Sequence, residues 1–138
     1  MKKVDNLLEP ALELAKLLQT GDGSGVIDTK VKSDISSFGT AIQQCGLLPA
    51  IAMYSNTSTE SGKRGVKMLN IIYALLYGSI ENMTEDQLKS KLLLLENALK
   101  EKNDAKIYVI RREIMQACIA LKLAVRTFKL EEVSDEQS

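Results

Sequence analysis

Between Ile107 and Phe128 the residues Ile107, Ile110, Ile114, Cys118, Leu121, Val125 and Phe128 recur at intervals of three and four. A half-buried strand would alternate, so this spacing predicts a helix from Ala105 to about Leu130, with Asp104 as its N-cap and one apolar stripe. Such a stripe is a seam for other helices. The same interval governs most of the remaining chain. Val4, Leu7, Leu8, Ala11, Leu14, Ala15 and Leu18 define a first helix from Val4 to Gln19, with Pro10 as its weak point because it lacks an amide donor. Val31, Ile35, Phe38, Ile42 and Cys45 define a second, starting at Ile27 or Thr29, and Val66, Leu69, Ile72, Tyr73 and Leu76 another, from about Lys63 to Tyr77 and stopped by Gly78. Thr84-Glu85-Asp86-Gln87 reads as a capping box that opens a helix striped by Leu88, Leu92, Leu95 and Leu99. The expected fold is all-α: a compact bundle of five to six helices without a sheet, in a single domain over residues 1–138. Glu131, Glu132, Asp135 and Glu136 form an acidic, flexible tail over 131–138.

The stretch from Phe38 to Tyr54 turns a corner. Gly46 stands where a left-handed residue ends one helix, Leu47 follows, and Pro49 suits the first turn of the next. The short helix from Pro49 to Tyr54 has almost no polar side chain and is expected to be buried. Gly39, inside the second helix, suggests close approach of a neighbouring backbone. Residues 21–25 and 55–62 read as polar loops. Gly62-Lys63 does not complete a phosphate-binding loop, since Thr57 stands at the first glycine position and Arg64 replaces the Ser or Thr.

Eighteen basic and eighteen acidic residues give a formal charge of zero. Any contact with nucleic acid would therefore have to come from a local patch. At about 100° per residue, Arg111, Lys122, Arg126 and Lys129 fall within about 60° of one another along the last helix, beside its apolar stripe. Lys63, Arg64 and Lys67 form a second candidate group. A solvated rim, whose long stems cover the edge of the core, is the competing reading of such cations.

The chain has no histidine. That removes the commonest general base and most zinc sites. Glu81, Glu85 and Asp86 sit at a helix start, where capping and the helix dipole account for them. No catalytic residue, metal site or cofactor is expected, and the protein does not read as an enzyme. Cys45 and Cys118 both lie on apolar stripes and are expected to be reduced and buried. The sequence has no apolar run long enough to cross a bilayer, which points to a cytoplasmic protein without a membrane partner.

The corner and the last helix resemble the small helical subunit of the type III-B CRISPR (Cmr) RNA-guided effector complex. Gly46, Leu47, Ala50, Ala52 and Met53 match that family's G-L-x-x-A-L-A-F-like corner. Arg126 and Phe128 match the close of its W-L-K-R-F-A-like motif, with Ala124 at the Trp position and Thr127 at the second basic one. Tyr108 and Arg111-Arg112 lie near its Tyr-Arg pair. The resemblance implies a non-catalytic subunit that stacks with copies of itself inside the effector filament, against other Cmr subunits and beside guide RNA and target RNA. A helical adaptor that joins proteins through the 49–54 and 88–99 surfaces, without touching RNA, is the alternative.

Overall fold

Four polar side chains start four of the helices. The computed structural model describes residues 4–21, 23–78 and 80–133. Asp28 accepts the Lys30 amide to open α2 (Thr29–Cys45), and Thr59 accepts the Gly62 amide to open α4 (Glu60–Tyr77). Thr84 and Gln87 exchange both bonds of the expected capping box at the start of α5 (Glu85–Ser90). Asn103, not Asp104, caps α7 (Asp104–Val125), its Oδ1 accepting the amides of Ala105 and Lys106. The other helices are α1 (Val4–Ala15), continued by a 3-10 turn over Lys16–Leu18, α3 (Leu47–Met53) and α6 (Leu93–Lys100). Among the described residues there are thus seven α-helices, and the fold is all-α as expected.

Around α4 the rest is assembled. Val66, Met68, Leu69, Ile71, Ile72, Leu75 and Leu76 are all buried on it, and it touches α1, α2, α5, α6 and α7. Helix α1 passes through Pro10, which lies on its exposed side, and buries Leu7, Ala11 and Ala15 mainly against α7. The α7 stripe holds, with Ile114, Cys118, Leu121 and Val125 buried and Ile107, Ile110 and Phe128 packed at its ends.

At the corner, Gly46 caps α2 and begins α3 with φ +93° and ψ 171°. That φ lies in the region that favours glycine. The ψ is extended, however, so the chain leaves α2 abruptly and does not curl as a left-handed turn would. Leu47 is buried, Pro49 lies in the first turn of α3, and Tyr54 closes the corner by meeting Phe38 edge to face at 5.5 Å. Only one face of α3 is covered: Leu47, Ala50 and Ile51 are buried, whereas Ala52 and Met53 are exposed, Met53 by 63%. Cys45 is also exposed, because the last turn of α2 overhangs the core just before the chain turns away; Cys118 is buried. The expectation that both thiols are inaccessible thus holds for one.

Three further differences have local causes. The helix expected to follow the capping box is broken between Ser90 and Leu93. Asn70, fully buried on α4, donates from Nδ2 to the Leu88 carbonyl at 2.7 Å and the Lys91 carbonyl at 2.9 Å, so those oxygens are satisfied outside a helix. After the break the register changes, and Leu94 and Ala98 face the core while Leu99 is 51% exposed. Beyond Ala120 the second difference arises: α7 stops at Val125, and Thr127 turns back to donate to the Ala124 carbonyl. Residues Lys129–Glu131 then form β2, paired in parallel with β1 (Val26–Asp28), with Leu130 opposite the buried Ile27. A two-stranded clasp is therefore added to the bundle, and Glu131 belongs to it and not to a tail; Asp135 and Glu136 lie outside the described residues. Finally, Gly39 has no neighbour within 4 Å of where a Cβ would sit, so no backbone approaches it. Close approach occurs at Gly62, where a Cβ would collide with the Asn56 carbonyl of the preceding loop.

Candidate nucleic-acid interface

The candidate cations divide into two sets with different surroundings. Lys63, Arg64 and Lys67 share the first turns of α4 and line a groove of about 400 Å³ together with Lys89, Glu60 and Glu85. Acids answer these cations. Arg64 Nε donates to Asp34 Oδ2 at 2.8 Å, Lys67 Nζ lies 2.6 Å from Glu85 Oε1, and Lys63 Nζ lies 3.5 Å from Glu60 Oε1. Lys89 approaches the same Glu85 oxygen at 3.6 Å. Partial burial alone would raise the Glu85 carboxyl, but the hydrogen bonds and charges of Lys67 and Lys89 bring it below its ordinary value. This set holds α4 to α2 and α5. Its positive charge is largely neutralised within the fold.

Helix α7 carries the second set. Arg111 and Lys122 are partly exposed and Arg126, the residue that caps the helix, is exposed. The side chains of Arg111, Arg112, Lys122 and Arg126 make no hydrogen bond or ion pair with another described residue. At the helical period, Arg111, Lys122 and Arg126 lie on the flank of α7 between its buried stripe and its open side. Lys129, expected on the same stripe, is not: the helix has ended, and its Nζ lies 2.9 Å from Glu131 Oε1 along β2. Hydrogen bonding to that carboxylate, and its charge, raise the ammonium above its ordinary value.

The open side of α7 also holds residues that the apolar stripe did not single out. Val109, Arg112, Gln116, Ile119 and Leu123 follow one another at intervals of three, four, three and four, and Val109, Ile119 and Leu123 are all exposed. That second ridge was readable from the spacing. A cleft of about 380 Å³ was not, because it joins Gln43 of α2 to Tyr108, Arg111, Arg112, Met115 and Gln116 of α7. Nothing in sequence relates Gln43 to Gln116.

Among the described residues no three Cys, Asp or Glu side chains gather where they could hold a metal ion, and no helix is long and apolar enough to cross a membrane. Comparison with curated proteins and with solved structures finds no match. A family model described as CRISPR-associated protein (Cas_Cmr5) matches residues 8–128. That span begins within α1, takes in the corner, the central α4, the broken α5–α6 segment and all of α7, and ends at Phe128. The chain therefore belongs to the Cas_Cmr5 family of CRISPR-associated proteins, the small subunits of type III-B Cmr complexes.

Proposed function

We propose that this small subunit is a non-catalytic RNA-holding element, which works in repeated copies beside other Cmr subunits and contacts guide and target RNA through the open side of α7 and its basic flank. One observation carries the reading: the Arg111, Lys122 and Arg126 side chains are at least partly exposed and have no carboxylate partner among the described residues, whereas Lys63, Arg64, Lys67 and Lys129 have one. A neutral chain cannot draw RNA by net charge, but a few phosphate contacts per copy, repeated along one strand, add effective concentration. The absence of histidine supports a holding role over a catalytic one.

Changing Arg111, Lys122 and Arg126 together to Glu tests this. RNA retention by the assembled complex is expected to fall, most strongly at low salt, and the dependence of affinity on salt to flatten by about one unit of slope for each phosphate no longer neutralised. Helicity should not change. Reversal of Lys89 and Lys91 is the control and should have the smaller effect; equal losses would mean general electrostatics, and no loss would remove the reading.

Val109, Ile119 and Leu123 favour a second reading, because three exposed aliphatic residues on one ridge suit contact with another protein. On this protein-contact reading, which differs from an adaptor working through the 49–54 and 88–99 surfaces, Ile119→Ser with Leu123→Ser would reduce incorporation into the complex while the Arg and Lys reversal would leave RNA retention intact.

A further inference from the structure

The cleft between the end of α2 and the first half of α7 brings together groups that a phosphate-holding rim does not need. Tyr108 is 59% exposed, more than Val109, Ile119 or Leu123 on the same helix, and its ring has no ring partner among the described residues. Arg111 and Arg112 flank it, and neither side chain meets a carboxylate among the described residues. Gln43 and Gln116 contribute two amides, and the Gln116 Oε1 is buried without a hydrogen-bond partner among the described residues, so rotation of that amide into the cleft would let a ligand donor satisfy its unmet acceptor. Met115 supplies an apolar, deformable wall. An aromatic face, two guanidinium groups and two amides within one cleft suit a group that is flat, has mixed donors and acceptors at its edge, and is tethered to anions.

We propose that this cleft takes one unpaired nucleobase of single-stranded RNA, with Tyr108 stacked on the base, Arg111 and Arg112 on the adjoining phosphates, and Gln43 and Gln116 at the base edge. The inference rests on the RNA reading given above and deepens it. Phosphate contacts alone would treat paired and unpaired RNA alike, whereas a stacking residue requires a base out of the helix. The cleft would therefore give the subunit a preference for unpaired positions. Stacking tolerates any base, and the amides, each offering both a donor and an acceptor, would add a modest preference among bases.

The full-length chain is titrated with a single-stranded oligonucleotide of about twelve nucleotides carrying 2-aminopurine, and with the same backbone lacking bases at the central positions. Wild type is expected to bind the intact strand more tightly than the abasic one, with a change in 2-aminopurine fluorescence. Tyr108→Ala should weaken intact-strand binding by roughly tenfold and abolish that difference, without altering the salt slope, and Tyr108→Phe should retain both. Because Tyr108 is exposed, the Ala variant should fold normally, and its melting temperature verifies this. Arg111→Gln and Arg112→Gln should each reduce the salt slope by about one unit. Equal binding of intact and abasic strands by wild type, or an unchanged preference in Tyr108→Ala, overturns the base site even if the reversals on α7 still release RNA from the complex. Loss of RNA dependence in both experiments overturns the broader reading as well. If Tyr108→Ala instead blocks incorporation into the complex while base preference persists, the cleft is a protein contact and the proposal fails.

Discussion

Two glycines and two cysteines show what single residues reveal and conceal. Gly46 was legible because a helix end followed by a proline in the next turn demands an unusual backbone, and its φ of +93° is one that side chains resist. Gly39 is the opposite case: a glycine inside a helix suggests a close neighbour, but space around it cannot be read from one sequence. Gly39→Ala is accordingly expected to stabilise the protein by about 0.5 to 1 kcal/mol, whereas Gly46→Val should destabilise it by about 1 kcal/mol or more. Thermal or denaturant unfolding of the two variants measures both signs. The cysteines differ for a similar reason, since each lies on an apolar stripe but only Cys118 has elements packed over it. Burial pushes the Cys118 thiol up to about 12, so little thiolate forms at neutral pH. A thiol reagent should label Cys45 in the native protein and reach Cys118 only after denaturation.

Helices were legible where a cap and a stripe agreed, and obscured where a partner on another element decided the outcome. The box at Thr84 and Gln87 formed as its spacing required. The leucines after it also read as one helix, because the reason for the break is Asn70, eighteen residues before Leu88, whose amide engages two carbonyls of the interruption. A lone Asn inside an apolar stripe gives no indication of which segment it will meet. The same distance problem hid the neutralisation of Lys67, whose carboxylate partner is Glu85 at the start of α5. That pair has a measurable signature. The folded Glu85 carboxyl titrates below its ordinary 4.5, so its contribution is present above that value and is lost as pH falls through the lower folded value. The melting temperature of wild type should exceed that of Glu85→Gln near neutral pH, and the gap should close as the solution is acidified below about pH 4.5.

At the scale of the molecule, the family and the helical class were legible from two motifs and a repeated interval, and the family match extends through the middle segment, which offered no distinctive motif. The β1–β2 clasp was not legible, because three-residue strands carry too little alternation to be told from loop. Its register places Leu130 against Ile27, which is fully buried, and Lys30 Nζ donates to the Val133 carbonyl at 2.7 Å beside it. Leu130→Asp should therefore lower the melting temperature, by about 1 to 3 kcal/mol in stability, with little loss of helical circular dichroism. The clasp joins a segment that leaves the ribosome early to one that leaves late, and α1 likewise finds most of its packing on α7. Until α7 has been made, Leu7, Ala11 and Ala15 lack most of their cover, so the native subunit can close only late in its synthesis. Nascent chains interrupted before α7 would be targets for chaperones and proteases, and a complex that recruits this subunit by its open α7 side would receive only copies in which that helix is whole.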